Sequence, residues 1–330
     1  MESRKKDHID LAFQSQTFRD EIDRRFYYEP LLSPHPEGIP GKFFLAGKKI
    51  KVPIWISSMT GGTELAGKIN RNLAHAAREF GMGMGLGSCR IILEENNHFS
   101  DFDMRDELGP DLPFFANLGI AQLEKMIVKK ELGKIDYLLS RLRADGLIIH
   151  VNPMQEAFQP EGDRFTKPAL ETIQIVLEQA GYPVIVKEVG QGMGKESLRA
   201  LLRLPLESIE FAAFGGTNFA KVELLRAGES MQQLFEPLSR VGHDAFQMME
   251  MVNSIVEEGD VQCNSIIVSG GIKSFLDGYY LIQKSALPAI YGQASGFLKY
   301  AKEDYKQLQE YTSSQIKGLE LAYAFLKVKN

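Results

Sequence analysis

Short apolar runs recur along the chain. Each ends in a glycine or small polar residue and leads into a longer stretch whose apolar positions repeat at helical spacing. Eight such runs are VPIWISSM (52–59), FGMGMGLG (80–87), PFFANLG (113–119), GLIIHVN (146–152), PVIVKEVG (183–190), SIEFAAFGG (208–216), SIIVSGG (265–271) and LPAIYGQA (287–294). Near-continuous apolar runs that alternate with amphipathic stretches are the mark of parallel strands buried on both faces. Helices are expected between them, for example over 120–143, 168–180 and 194–203. Eight alternations predict an α/β fold of the closed (β/α)8 TIM-barrel type rather than an open sheet. The second run has the weakest strand character, because its glycines lower strand propensity. The spacer over 218–260 is the longest and is expected to hold extra helices or a mobile lid. Ahead of the first strand, LLSPHPEGIPGK (31–42) reads as a loop entering a short β-hairpin that caps the barrel floor. The last stretch, about 302–328, reads as a C-terminal helix.

Size and composition agree with this reading. The chain has 330 residues, 44% hydrophobic and 25% charged, enough for one barrel of ~250 residues with an N-terminal extension and cap over 1–50, a barrel over 52–298 and a tail over 299–330. A single domain is expected. The net charge of −5 disfavours a nucleic-acid partner, which needs clustered Lys and Arg. A locally positive pocket for a small anion remains compatible with it. No run of ~18 apolar residues offers a membrane span. The charged start MESRKKDHID has no apolar core of a signal peptide, and Cys89 and Cys263 form neither a metal spacing nor a disulfide framework. A reducing, cytoplasmic setting is expected.

In a barrel, chemistry sits at the C-terminal ends of the strands. The residues there are Ser58, Met59 and Thr60; Ser88 and Arg90; Asn117; His150, Asn152, Gln155 and Glu156; Lys187 and Glu188; Gly215, Gly216 and Thr217; Ser269, Gly270 and Gly271; and Ala294 and Ser295. The small residues of the last loops suit phosphate bound by backbone N–H groups, although single glycine pairs also simply make tight turns. Lys187 interrupts an apolar run. It either pairs with an acid such as Glu188 or places its charge beside an electron-rich cofactor ring. The cluster over 150–156 lacks the spacing of a zinc motif. Glu156 suits Mg²⁺ held by one carboxylate plus substrate phosphates, or the stretch is an ordinary polar loop. Arg4, Lys5 and Lys6 form either a solvated tail or a clamp for a diphosphate.

The motifs RKKDHI (4–9), SSMTGG (57–62), GSCR (87–90), ANLG (116–119), HVNPMQE (150–156), PEGDR (160–164), VKEVGQGM (186–193), GGTNF (215–219) and SGGI (269–272) resemble type 2 isopentenyl-diphosphate isomerase. They run in order from residue 4 to about residue 298. The glycine motifs are shared by other flavin barrels, whereas the N-terminal RK-x-x-HI together with H-x-N-x-x-QE is specific. The resemblance implies interconversion of isopentenyl and dimethylallyl diphosphate with reduced FMN and Mg²⁺, NAD(P)H serving as flavin reductant, in a homo-oligomer (tetramer or octamer). By matched position, Ser58, Met59, Thr60, Ser88, Asn117, Lys187, Thr217, Gly271, Lys273, Ala294 and Ser295 contact FMN. Arg4, Lys5, Ser88, Arg90, His150, Asn152 and Gln155 contact the substrate, Glu156 ligates Mg²⁺, and His150, Gln155 and Lys187 form the catalytic group. The reduced flavin is implied to stabilise a cationic centre in the alkene and to carry the proton. Three departures stand out: Cys89 where the family usually has Gln, Lys273 where it has Arg, and YGQAS at strand eight. The rival readings are an FMN-dependent 2-hydroxy-acid oxidase or dehydrogenase, which needs a His after the strand-six or strand-seven glycines, and a non-catalytic phosphate-ligand-binding barrel.

Overall fold

The computed structural model describes residues 2–58, 60–94 and 96–329. All eight predicted strands form, and they close into one parallel barrel. In chain order they are Ile54–Ile56, Gly83–Gly85, Phe114–Gly119, Gly146–His150, Val184–Lys187, Ser208–Glu210, Ile266–Ser269 and Ala289–Gln293. Each is shorter than its apolar run, because the ends of a run are loop residues whose burial comes from packing rather than from strand pairing. The glycine-rich second run is a strand after all. Gly83 opposes Trp55 in register, and a Cβ there would stand 2.6 Å from the Trp55 ring, so the indole fills the room that the missing side chain leaves.

The expected helix over 120–143 is two helices, Ile120–Val128 and Gly133–Leu142, separated where Lys130 takes φ 58°. The helices over 168–180 and 194–203 are Ala169–Gln179 and Lys195–Leu202. The long spacer is built of three helices, Phe219–Ala227, Glu229–Ser239 and Ala245–Glu258. The tail helix ends at Phe325. Its continuation, Leu326–Val328, is a strand that pairs antiparallel with Phe26–Tyr28, a pairing of the two chain ends that the sequence pattern does not reveal.

The hairpin expected at the floor is present, with Phe43–Leu45 against Lys48–Ile50. Positive φ at Ala46 (52°) and Gly47 (72°) matches the two-residue turn that follows the strand twist. Leu45 and Ile50 pack with Trp55, Phe115, Ile148, Ile185, Ile267 and Ile290 in one buried cluster. These last six residues are inward-facing positions of six barrel strands, so the hairpin plugs the bottom of the barrel. Strand side chains alternate faces, so the residue two places further along each strand also faces inward. Those next positions are Ser57, Asn117, His150, Lys187, Ser269 and Gly292, and in the other two strands Gly85 and Glu210 follow the inward Gly83 and Ser208. The barrel interior thus changes from mostly apolar to polar or glycine within one layer.

Candidate active site

The polar layer is held in register by the sheet. Gly119 opposes His150, His150 opposes Lys187, and Lys187 opposes Glu210 across strands three to six. Asn117 Nδ2 donates to the Leu86 carbonyl at 3.0 Å, which turns its Oδ1 toward His150 Nδ1 at 2.8 Å. An amide oxygen only accepts, so Nδ1 carries the proton and Nε2 keeps its lone pair. Burial, helped by the Lys187 charge, pushes the His150 pKa down to about 3. The ring is therefore neutral at physiological pH. Gly119 makes room for it: a Cβ there would lie 2.8 Å from His150 Nε2.

Lys187 is buried and donates to the Glu188 backbone carbonyl at 2.9 Å. The alternative of an ion pair with the Glu188 carboxylate is not what forms. That carboxylate instead accepts from the amides of Gly190, Gln191 and Gly192 at 2.6, 2.6 and 3.0 Å. It is a brace for the loop after strand five. Burial pushes its pKa up, and the three amides oppose that shift.

Above the polar layer lies a cavity of about 260 Å³. Of the residues expected to hold FMN, it brings together Ser58, Lys187, Thr217, Gly271, Lys273, Ala294 and Ser295. Thr60, Ser88 and Asn117 are not among its lining residues, and Met59 lies outside the described residues. Gly270 and Gly271 take φ of 87° and 72°. A Cβ on Gly270 would sit 2.1 Å from the Ala213 carbonyl oxygen, so this turn requires glycine. The amides of Lys273 and Ser274 are already engaged by Asp277 Oδ2 at 3.0 and 2.9 Å. Lys273 is thus left to meet an anion with its side chain.

Among the described residues, buried side-chain oxygens without a hydrogen-bond partner include Ser57 Oγ, Ser58 Oγ and both carboxylate oxygens of Glu210, all of residues that line this one cavity. Orphaned buried polar atoms are costly and uncommon. Four on a single cavity, beside a lysine and a glycine turn, fit a polar, anionic ligand of cofactor type such as FMN.

The second half of the site is the helix Pro153–Phe158 after strand four. Asn152 Nδ2 donates to Gln155 Oε1 at 3.1 Å and to Glu156 Oε1 at 2.9 Å. Glu156 Oε2 accepts from the Asp163 amide at 2.7 Å. The Glu156 carboxylate is thereby oriented, with lone pairs remaining on both oxygens. Among the described residues no three His, Cys, Asp or Glu side chains gather as a metal cage. A cation here therefore fits the Mg²⁺ pattern, in which substrate phosphates complete the shell. Arg90 is exposed, with Nε on Glu94 at 3.0 Å and a terminal nitrogen on Asp163 at 3.4 Å. Ser88 is exposed two residues before it. Arg4 and Lys5 stand on the exposed helix Glu2–Leu11, and no described hydrogen bond or ion pair ties them to the barrel mouth. Cys89 is buried; its thiol donates to the Gly87 carbonyl and burial pushes its pKa up to about 12. This departure from the family pattern is a buried, packed thiol.

Sequence reasoning passed over two carboxylates. Glu223, on Phe219–Ala227, is buried and receives Gln155 Nε2 at 3.4 Å. An acid on a helix after a glycine loop is ordinarily exposed, so no signal in the sequence singles it out. Glu210 was hidden by placing the end of strand six at Gly215. Counting two residues from the inward Ser208 would have found it.

The architecture defines the class: a closed (β/α)8 barrel whose interior turns polar at the C-terminal ends of its strands. No protein-family model matches the chain. Curated isopentenyl-diphosphate delta-isomerases do: that of Rickettsia felis is 36% identical over 323 residues, covering 96% of this chain and 90% of the relative. The Rickettsia akari protein of the same name is 35% identical, covering 91% of this chain and 86% of the relative. Among solved structures, a flavocytochrome b2 variant with benzoylformate superposes with a TM-score of 0.62 at 11% identity, over 92% of this chain and 76% of that one. A mandelate oxidase variant with a monooxide FMN adduct gives 0.56 at 14% identity, over 92% and 88%. These likenesses establish the shared barrel. The chain belongs to the isopentenyl-diphosphate delta-isomerase family, and its barrel agrees with the type 2 branch that its motifs resemble.

Proposed function

We propose that this enzyme interconverts isopentenyl and dimethylallyl diphosphate, using FMN held in the reduced state by NAD(P)H and one Mg²⁺. The observation that carries the reading is the layer Asn117–His150–Lys187–Glu210, set beside a cavity whose Ser57, Ser58 and Glu210 side-chain oxygens lack partners among the described residues. Lys187, Ser58, Thr217 and the Gly270–Gly271 turn would hold the flavin, with Lys273, Ala294 and Ser295 at its phosphate. Bound and reduced, FMN would supply an electron-rich surface that favours positive charge in the neighbouring alkene.

The protein's own part is orientation and charge. Asn152 holds Gln155 and Glu156 in one hydrogen-bonded set. Glu156 would anchor Mg²⁺ and, through it, the diphosphate. Arg90 supplies positive charge at the rim. Gln155, a neutral amide, orients the alkene rather than acting as a base. His150 Nε2 accepts hydrogen bonds when neutral. A phosphate oxygen approaching it would favour taking up a proton there, because a nearby negative charge stabilises imidazolium.

The 2-hydroxy-acid oxidase reading lacks support at the site. No histidine lines the cavity among the described residues, and the glycine loop after strand six continues Thr217–Asn218–Phe219. A cytoplasmic setting fits two buried free thiols, and no helix of the described residues is long and apolar enough to cross a membrane.

The test is an isomerase assay with single omissions. Product is expected only with reduced FMN and Mg²⁺ together, and Glu156→Gln should raise the Mg²⁺ and substrate requirement at least tenfold while flavin affinity stays unchanged. Turnover by flavin-free protein, or oxygen-dependent oxidation of a 2-hydroxy acid in place of isomerisation, would overturn the reading.

A further inference from the structure

Glu210 closes strand six with no exposed surface at all, and neither of its carboxylate oxygens has a hydrogen-bond partner among the described residues. Glu188, the other buried acid at this level, is saturated by three amides. Gln293, on the same cavity, has its amide nitrogen on the Ile272 carbonyl and its oxygen on the Tyr311 hydroxyl. Glu210 is thus the long acceptor side chain left over on this wall among the described residues. An ionised carboxylate is acceptor-only, and burying one without donors is expensive. Lys187 stands opposite in register, but its hydrogen bond goes to the Glu188 carbonyl. What Glu210 requires is a ligand with several hydroxyl or N–H donors.

Its place along the cavity says which part of a ligand that is. Lys187 on strand five lies on one side. On the other, strand seven pairs with strand six through Ile267 opposite Glu210 and carries Ser269 and then the Gly270–Gly271 turn. On the proposed reading, the first side takes the flavin ring and the last the phosphate. Between ring and phosphate, FMN is a chain of three secondary hydroxyls.

We propose that Glu210 is a cofactor-binding residue that accepts hydrogen bonds from the ribityl hydroxyls of FMN and makes the site select flavins bearing a hydroxylated side chain. The inference rests on the FMN reading above and adds to it a residue and a selectivity.

The test is fluorescence titration of apo-protein with FMN, riboflavin and lumiflavin, which has no ribityl chain, on the unsubstituted protein and on Glu210→Gln and Glu210→Ala. Loss of a hydrogen bond to a charged acceptor corresponds to roughly tenfold or more in affinity. Both variants should lose about that much for FMN and riboflavin and nothing for lumiflavin. An equal loss for all three, or no loss, overturns the proposal. If the unsubstituted protein binds none of the three, the FMN reading itself falls, which is a separate result. Two controls do not depend on variant binding. Unsubstituted protein should bind an FMN analogue with an unhydroxylated alkyl chain at least tenfold more weakly than FMN, and parity would refute the role. Apo Glu210→Gln should melt no lower than unsubstituted apo-protein. A clear drop would mean that the carboxylate serves a partner within the fold.

Discussion

His150 shows how much of the chemistry is set by one residue's neighbours. Burial of its ring, helped by the Lys187 charge, keeps it neutral in the folded protein down to about pH 3. In the unfolded chain the same ring protonates near pH 6.5. Between these values the unfolded state binds more protons, so stability rises with pH across the window. The contribution is complete above about 6.5 and is lost progressively as pH falls toward 3. Thermal melts from pH 7.5 to 4.5 should therefore fall more steeply for the unsubstituted protein than for His150→Gln. Parallel curves would show that the ring is not held neutral. Lys187 illustrates the opposite limit of legibility: a lysine in VIVKEVG is visible in the sequence, but whether it meets Glu188 or the cavity was decided by three loop amides that take up the Glu188 carboxylate first.

At the scale of elements, the barrel strands were readable because burial on both faces leaves an apolar run that side-chain alternation cannot disguise. The break at Lys130 and the end of strand six at Glu210 were not, because both depend on where a neighbouring strand or helix stops offering partners. The floor hairpin was readable from its Pro/Gly-rich entry, and its function as a plug carries a prediction. Leu45 is 1% exposed inside the cluster that closes the barrel. Truncating such a leucine leaves a cavity that costs about 2–5 kcal/mol. Leu45→Ala should lower the chemical-denaturation midpoint accordingly while KM and kcat at the far end of the barrel stay within twofold. A selective loss of turnover with unchanged stability would show that the floor and the mouth are coupled.

At the scale of the whole molecule, an N-terminal strand, Phe26–Tyr28, is tied to the C-terminal strand Leu326–Val328, while the segments flanking the first of these display apolar side chains to solvent. Phe13, Phe18 and Leu31 are 84%, 68% and 92% exposed. Exposed apolar surface marks an interaction site where it is contiguous. We propose that it is covered by copies of the same chain, consistent with the tetramer or octamer that the motif resemblance implies. Light scattering at micromolar concentration should give a mass of four or eight chains, and Phe13→Asp with Leu31→Asp should shift it downward. A monomeric mass for the unsubstituted protein would reject this assembly.

By itself the sequence determined the barrel, the strand order and most of the residues at the strand ends, because hydrophobic periodicity is a local consequence of burial and the family motifs are contiguous. Only the tertiary structure decided which of those residues share one cavity, which nitrogen of His150 carries its proton, that Cys89 is buried, and that Glu210 stands without a partner among the described residues. These are relations between strands distant in sequence. Hydrogen-bond satisfaction and burial depend on what the fold brings near, and no pattern along a single chain contains that.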